Sequence, residues 1–327
     1  MSIKIIKQGV LTTLQDGGRK GFRNMGICPG GAMDIFAMAV SNFLVGNYES
    51  AAVLEINFPG PEILFQQNAI ISLAGADLSA SVNNEPLPLW RPFFVKKDAL
   101  LKFKKPVYGA KTYLAVQGGW QSEKWLGSYS THLQVAAGGH LGRALLKDDA
   151  ISFNEDNFSL TGDKVLNWHI SHKEISKIYE PANSIRCIKS IEWDLLDELS
   201  KQNFEKNNFE ITNQSDRMGY RLSSEPLLLE QPAEIISSAV DAGTVQLLPD
   251  GNLIVLMADH QTTGGYPRIA SVIKADLPKL SQVRPGQKID FKTVTVTEAE
   301  DALISMEQIL TEIKAGCRLN FEKYFQS

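Results

Sequence analysis

Four separated segments of the chain combine turn glycines with charged or hydroxyl side chains, the groups that chemistry on a small polar substrate needs. The first, QDGGRKGFRNMGICPGGAMD at 15–34, holds Asp16, Asp34, Arg19 and Arg23. Glycines let backbone amides approach a ligand, and arginine presents a fork to carboxylate or phosphate. The blander reading is an Asp16–Arg19 ion pair in a loop, with Asp34 capping a helix. The second, GGWQSEKWLGSYSTHLQVAAGGHLGRAL at 118–145, places Ser128, Ser130 and Thr131 beside Gly127, and Arg143 among Gly138, Gly139 and Gly142. It resembles a phosphate-cradling loop in composition, but it is neither GxGxxG nor GxxxxGK[ST], and tight β turns explain it equally well. The third, QSDRMGYRL at 214–222, sets Asp216 beside Arg217 and follows them with Tyr220 and Arg221. A carboxylate poised as base or anchor competes there with a satisfied turn pair. The fourth, ADHQTTGGYPRIA at 258–270, packs Asp259, Gln261, Thr262, Thr263 and Tyr266 around two glycines. That density exceeds what a hairpin requires and favours a polar pocket. His169 and His172 have ligand-like spacing without a third ligand, and no GxSxG elbow is present.

These segments lie in a chain of short apolar strands: Ile3–Ile6, Glu62–Phe65, Ala69–Ala74, Leu100–Phe103, Thr112–Val116, Thr244–Leu248, Asn252–Ala258 and Ile289–Thr295. Three helices are expected. One runs from the Asp34 cap to about Val45, with Gly46 at its end. A second covers roughly 192–203 and buries Trp193, Leu196 and Leu199. A third starts at a Thr297/Glu300 capping box and is closed by Gly316. Residues 60–77 and 243–260 look alike, each with two strands between a glycine and an Ala-Asp, and VLEI at 53–56 corresponds loosely to EIIS at 234–237. The reading is a mainly β protein of two related subdomains, 1–180 with the Gly-rich extension and 181–327 with the C-terminal helix, joined by a polar stretch near 155–184.

Composition narrows the function. The 327 residues are 43% hydrophobic and 21% charged, an ordinary globular balance, with a net charge of −4. No basic surplus exists for nucleic-acid phosphates or an anionic membrane. No apolar run approaches the ~20 residues of a membrane span, and no secretory leader is visible. Three scattered cysteines fit a reducing cytoplasm better than a disulfide framework.

The ordered set LQDGGRKGFRNMGICPGGAMD, LEINFPGPEILF with ISLAGAD, YLAVQGGW, LGSYST with GGHLGRAL, SDRMGYRL, and QTTGGYPRIASVIKADLPKLSQVRPG spans residues 9 to about 291. It resembles the carboxyltransferase-type family called allophanate hydrolase subunit 2, which includes subunits of 5-oxoprolinase, the sporulation regulator KipA and the carboxyltransferase region of urea carboxylase. The chain departs from that pattern at Ser223-Ser224, where the family usually has a glycine, and at Cys28. The resemblance implies two cyclophilin-like β-barrel subdomains with a few peripheral helices. It implies two partners, an A-type and a KipI-like B-type subunit, which together with this chain would hydrolyse 5-oxo-L-proline to L-glutamate using ATP. The alternatives it leaves are a KipA-type regulator binding a kinase inhibitor and a carboxyltransferase subunit of a urea carboxylase-like system. No biotin-carrier Met-Lys-Met and no metal site is visible. On this reading Asp16, Arg19, Arg143, Asp216 and Arg217 are the candidate catalytic residues. Ser128, Thr131, Tyr220, Gln261, Thr262, Thr263 and Tyr266 are the candidate substrate contacts, all expected around one cleft.

Overall fold

The structure, a computed structural model, describes residues 2–154 and 166–325. Part of the expected joining stretch, 155–165, lies outside the described residues. The chain divides into two compact units.

The first unit is built on two antiparallel sheets. One runs in the order Ala150–Ser152, Ser2–Lys7, Glu62–Phe65, Leu100–Phe103, Ala80–Val82, Glu85–Pro86; the other runs Thr12–Gln15, Val53–Asn57, Tyr108–Val116, Ala69–Asp77, Pro92–Val95. Ile3, Ile5, Leu54, Ile63, Phe65, Ile71, Leu101 and Leu114 alternate inward to fill a shared core. Helix α1 (Ile35–Leu44) packs against the second sheet, and nine of its ten residues are buried. Asp34 caps it by accepting from the Ala37 N–H at 2.9 Å, as the sequence predicts.

The second unit closes seven strands into a barrel, in the order Ser184–Lys189, Arg268–Val272, Thr244–Leu247, Leu253–Leu256, Gly219–Ser223, Phe209–Ile211, Lys288–Thr293. Its core holds Ile185, Phe204, Phe209, Val245, Val255, Ile269 and Phe291; the rings of Phe204 and Phe291 stack at 4.8 Å. Helix α2 (His172–Tyr179) spans the point at which the chain passes from the first unit to the second, while two short helices belong to the barrel unit, α3 (Glu198–Lys206) and α4 (Leu277–Ser281). The mainly β architecture and all eight predicted strands are present, most with slightly different ends.

Four local expectations need correction. Residues 192–203 do not form one helix: a single 3-10 turn at Trp193–Leu195 breaks at the extended Leu196, and Asp197 caps α3 anew through the Ser200 N–H at 2.6 Å. Leu199 is exposed and Phe204 takes the core position instead. The final helix, α5 (Val296–Phe325), is capped two residues earlier than expected, with Thr295 and Glu298 exchanging bonds. It runs through Gly316, because Cys317 continues its buried face and the Phe321 ring reaches Trp168. The stretch 60–77 does not mirror 243–260. Pro249-Asp250-Gly251, with Gly251 at φ +82°, turns the second pair into a hairpin. Gln66-Gln67-Asn68 instead carries the chain from one sheet to the other. Residues 234–237 form no strand, and Ile236 is exposed.

The division at 180/181 also changes. Residues 20–33 belong to the second unit, where Met33 joins the barrel core and Arg23 donates to the Val240 carbonyl. Residues 308–325 belong to the first. There Lys314 lies 3.7 Å from Glu49 and 5.5 Å from the Phe43 ring centre.

Candidate functional site

In the first unit the strand Thr12–Gln15 delivers Asp16 and Arg19 into the Gly-rich segment. The Asp16 carboxylate accepts four hydrogen bonds, from Ser128 Oγ and Ser130 Oγ (2.6 Å each), the Tyr129 N–H (2.7 Å) and the Gly18 N–H (2.8 Å). The Asp16 N–H donates back to Ser130 Oγ. A carboxylate filled in this way pins one loop to another, and acting as a base would mean surrendering a bond. Arg19, 2% exposed, donates to the Ser130 carbonyl and stacks 4.6 Å from the Trp125 ring centre. Thr131 donates through Oγ1 to the Leu14 carbonyl at 3.0 Å. The structure therefore brings Asp16, Arg19, Ser128 and Thr131 together as a buried knot.

Arg143 is engaged elsewhere. It forms a two-pronged pair with Asp149 at 2.6 and 2.9 Å. That contact, with further help from the Leu146 N–H and His140, holds the Asp149 carboxyl down at about 2. The glycines around Arg143 serve packing. Gly142, at φ +66°, leaves no room for a Cβ against the Ala136 carbonyl. The turn reading of this segment accounts for its glycines without a phosphate.

In the second unit Arg217 and Asp259 form a buried ion pair, Nε to Oδ2 at 2.8 Å and Nη2 to Oδ1 at 3.0 Å, and Nη2 also donates to the Gly31 carbonyl. Tyr220 points into the barrel core and its hydroxyl donates to the Ser281 carbonyl at 3.1 Å. Thr262 and Thr263 sit at a short ladder, where Ala239 pairs with Thr263 and the Val240 N–H donates to the Thr262 carbonyl. His260 is buried and its pKa is lowered chiefly by that burial.

Asp216, Gln261 and Tyr266 meet in an open cleft of about 460 Å³. Asp216 Oδ1 accepts from the Met218 and Gly219 N–H groups, an Asx turn on an exposed carboxylate. The cleft is also lined by Gln214 and Arg221, which belong to the third segment but were not assigned to the site, and by Gln246 and Asp250, which the sequence does not single out. Arg221, Gln246 and Ile254 come from neighbouring strands whose alternate residues, Tyr220, Leu222, Val245, Leu247, Leu253 and Val255, fill the barrel. The period of two therefore puts Arg221, Gln246 and Ile254 on the outer wall, where Arg221 and Gln246 both pair with Ile254. Arg221 and two hydrogen bonds from Asn252 lower the pKa of Asp250, the asparagine bonds contributing more.

Residues 25–293 match the model of the carboxyltransferase domain, subdomains A and B. The chain is 37% identical to the C subunit of 5-oxoprolinase from Haemophilus influenzae over 303 residues, covering 92% of this chain and 94% of that one. It is also 37% identical to the C subunit of 5-oxoprolinase from Escherichia coli over 300 residues, covering 91% and 93%. The crystal structure of the K. lactis urea amidolyase matches with a TM-score of 0.86 at 24% identity; 95% of this chain covers 20% of that one, a likeness of fold. On sequence and architecture together, the chain belongs to the carboxyltransferase family of subdomains A and B that includes the C subunits of 5-oxoprolinase.

Proposed function

We propose that this chain is the C-type subunit of an ATP-dependent 5-oxoprolinase, acting with an A-type and a KipI-like B-type subunit. The observation that carries the reading is 37% identity over more than nine-tenths of both chains to proteins named for that role. A lactam carbonyl is a poor electrophile. Transfer of a phosphoryl group from ATP to its oxygen would activate the carbon toward water. Loss of the ring nitrogen as an amine and hydrolysis of the acyl phosphate would then yield L-glutamate, ADP and phosphate. Such chemistry needs donors for a developing oxyanion and a group to accept the proton of water.

The residues suited to touching substrate are those of the open cleft, with Asp216 as the candidate base and Gln261 and Tyr266 as donors. Thr262 and Thr263 are further candidate donors beside it. Asp16, Arg217 and Tyr220 have their polar groups bonded within the protein, which suits a supporting role, and Arg19 is buried beside them against Trp125 with Nη2 on the Ser130 carbonyl. Reconstitution tests the proposal: the three proteins with ATP and 5-oxo-L-proline should release glutamate, and omitting this chain should abolish release. Undiminished turnover without it would refute the reading.

A further inference from the structure

The first unit carries a cleft of its own, outside the site described above. It is open and measures about 670 Å³, within the range of roughly 300–1,000 Å³ usual for small-molecule sites. Asp77, Ser79, Ser81, Lys104 and Tyr108 supply its polar groups, and residues 86–89 form an apolar wall. Asp77 ends the strand Ala69–Asp77 and pairs with Tyr108, the first residue of Tyr108–Val116. The Lys104 N–H donates to the Leu78 carbonyl at 3.1 Å, and the Val107 N–H donates to the Asp77 carbonyl at 2.7 Å. Those bonds tie the lysine and the aspartate to one rim.

The polar groups of this cleft are only partly used. Asp77 Oδ1 accepts from the Ser79 N–H at 2.7 Å, and Oδ2 has no hydrogen bond among the described residues. The Lys104 ammonium has neither an ion pair nor a hydrogen bond among them, although Asp77 stands on the same rim. Ser81 is 2% exposed and its hydroxyl has no partner there, a state that native proteins rarely keep without a use. The Tyr108 hydroxyl accepts from Trp90 Nε1 at 3.4 Å, which leaves its own proton to donate. Burial pushes that phenol up, and the charge of Asp77 adds to the effect, so it stays protonated. Trp90 is held at φ +60°, rare for a bulky side chain, and its N–H donates to the Leu73 carbonyl at 2.8 Å. Backbone strain of this kind gathers at ligand clamps. On the apolar wall Pro86 and Pro88 fix the chain, and the Leu87 N–H donates to the Ala80 carbonyl at 2.9 Å, so the wall is preformed.

A carboxylate and an ammonium on one rim, not paired with each other, are complemented by a molecule that carries both charges close together. An α-amino acid is the smallest such molecule. The wall at 86–89, Pro-Leu-Pro-Leu, suits an apolar side chain and has no charged group to receive a second carboxylate. We infer that this cleft binds a free α-amino acid with an apolar side chain. Asp77 and Ser81 take its ammonium, Lys104 and Tyr108 take its carboxylate, and its side chain lies against residues 86–89. The inference does not rest on the 5-oxoprolinase reading. L-Glutamate, the product under that reading, is a poor ligand here, because its second carboxylate would face the apolar wall.

Isothermal titration calorimetry of the full chain, at about pH 6.5 where α-amino groups are charged, tests the assignment with L-leucine, L-leucinamide, N-acetyl-L-leucine and L-glutamate. L-Leucine should bind saturably. Leucinamide lacks the carboxylate, N-acetyl-leucine lacks the ammonium, and glutamate brings a charge to the wall. Each should bind roughly 10-fold more weakly or worse, the scale of one charge-assisted bond. Asp77→Asn keeps an oxygen for the Ser79 N–H, so the turn holds; leucine should then bind no tighter than N-acetyl-leucine. Lys104→Met should bring leucine down to leucinamide and leave the penalty on N-acetyl-leucine in place. No saturable binding at millimolar leucine overturns the inference, and so does undiminished leucine affinity in either variant. Leucinamide binding as tightly as leucine would point to a peptide N-terminus and overturn the free amino acid, and glutamate binding as tightly would overturn the apolar wall's role. The decisive comparisons among ligands are read on the unsubstituted chain, whether or not the variants fold. All are read as binding rather than turnover, so a failure of the 5-oxoprolinase reading leaves them unaffected.

Discussion

Asp216 caps the turn that Arg217 belongs to and Asp259 pairs with Arg217 from a separate segment, and the structure gives the two carboxylates opposite work. Asp259 is 6% exposed and is the carboxylate partner of Arg217, itself 4% exposed. Asp259→Ala would leave a buried guanidinium with only carbonyl contacts such as Gly31. Removing one member of a buried ion pair costs about 3–5 kcal/mol, chiefly from the stranded charge. In a unit of about 150 residues each kcal/mol lowers Tm by roughly 2–4 °C, so the barrel transition should fall by roughly 6–20 °C. Asp216→Asn is different. The carboxylate is exposed, and an asparagine oxygen can still accept from the Met218 and Gly219 N–H groups. The turn survives, and Tm should change by no more than about 2 °C, within the usual range for a surface substitution. If Asp216 moves a proton in the reaction, turnover of the reconstituted complex should nonetheless drop ~10²-fold or more. Differential scanning calorimetry of both variants beside the glutamate-release assay separates the two roles. Equal losses of Tm in the two would refute the assignment of Asp259 to the scaffold and Asp216 to the cleft.

The Gly-rich loop makes its own test: Gly142→Ala forces a Cβ against the Ala136 carbonyl at a positive φ, and should destabilise the first unit by about 2 kcal/mol or more in urea titration. Cys187 and Cys317 are pushed up to about 12 by burial, so about one thiol in 10⁴ is ionised at pH 8. Mass spectrometry after iodoacetamide should find both unmodified in the native protein and both alkylated in denaturant. The Asp149 carboxyl sits at about 2, below its ordinary value of 3.8, so its stabilising contribution is complete above pH 4 and disappears as pH falls toward 2. Asp149→Asn should therefore lower stability at pH 7 and flatten the loss between pH 4 and 2, read by circular dichroism; an unchanged acid limb would show that the Arg143 pair contributes nothing.

Elements set by local pattern were legible in the sequence. Glu62–Phe65 and Leu100–Phe103 show themselves as short apolar runs, and Asp34 before an apolar helix announces its cap. Errors arose where two local signals compete and distant packing decides. Thr295–Glu298 and Thr297–Glu300 are equally good capping boxes on paper, and Gly316 ends a helix only when nothing beyond it is buried. The candidate site divides along similar lines. Asp216, Gln261 and Tyr266 stood out because turns crowded with polar groups are conspicuous. Gln246 did not, and Arg221, though it lies in the third segment, was not assigned to the site, because a polar residue on alternate positions of a strand is indistinguishable from an ordinary solvent-facing one. Only the pairing of three strands reveals that both stand on the same wall as Ile254.

The exchange of segments between the two units also bears on how the chain is made. A ribosome extrudes residues in order, at about 5–20 per second. By the time residue 175 emerges, both sheets of the first unit are in hand, yet the surface around Gly46, Glu49 and Trp168 still lacks the Lys314–Phe321 portion of α5 that covers it. At those rates roughly 7–30 seconds pass before the cover arrives, and during that interval an apolar patch waits open. Residues 20–33 wait as well, since the barrel that receives Met33 has not yet been translated. Newborn chains are thus expected to spend their longest vulnerable period as a nearly complete first unit, the stage at which a chaperone would be most needed. Arrested nascent chains ending at 250 should be cleaved by protease near Trp168, and chains extended past 325 should not.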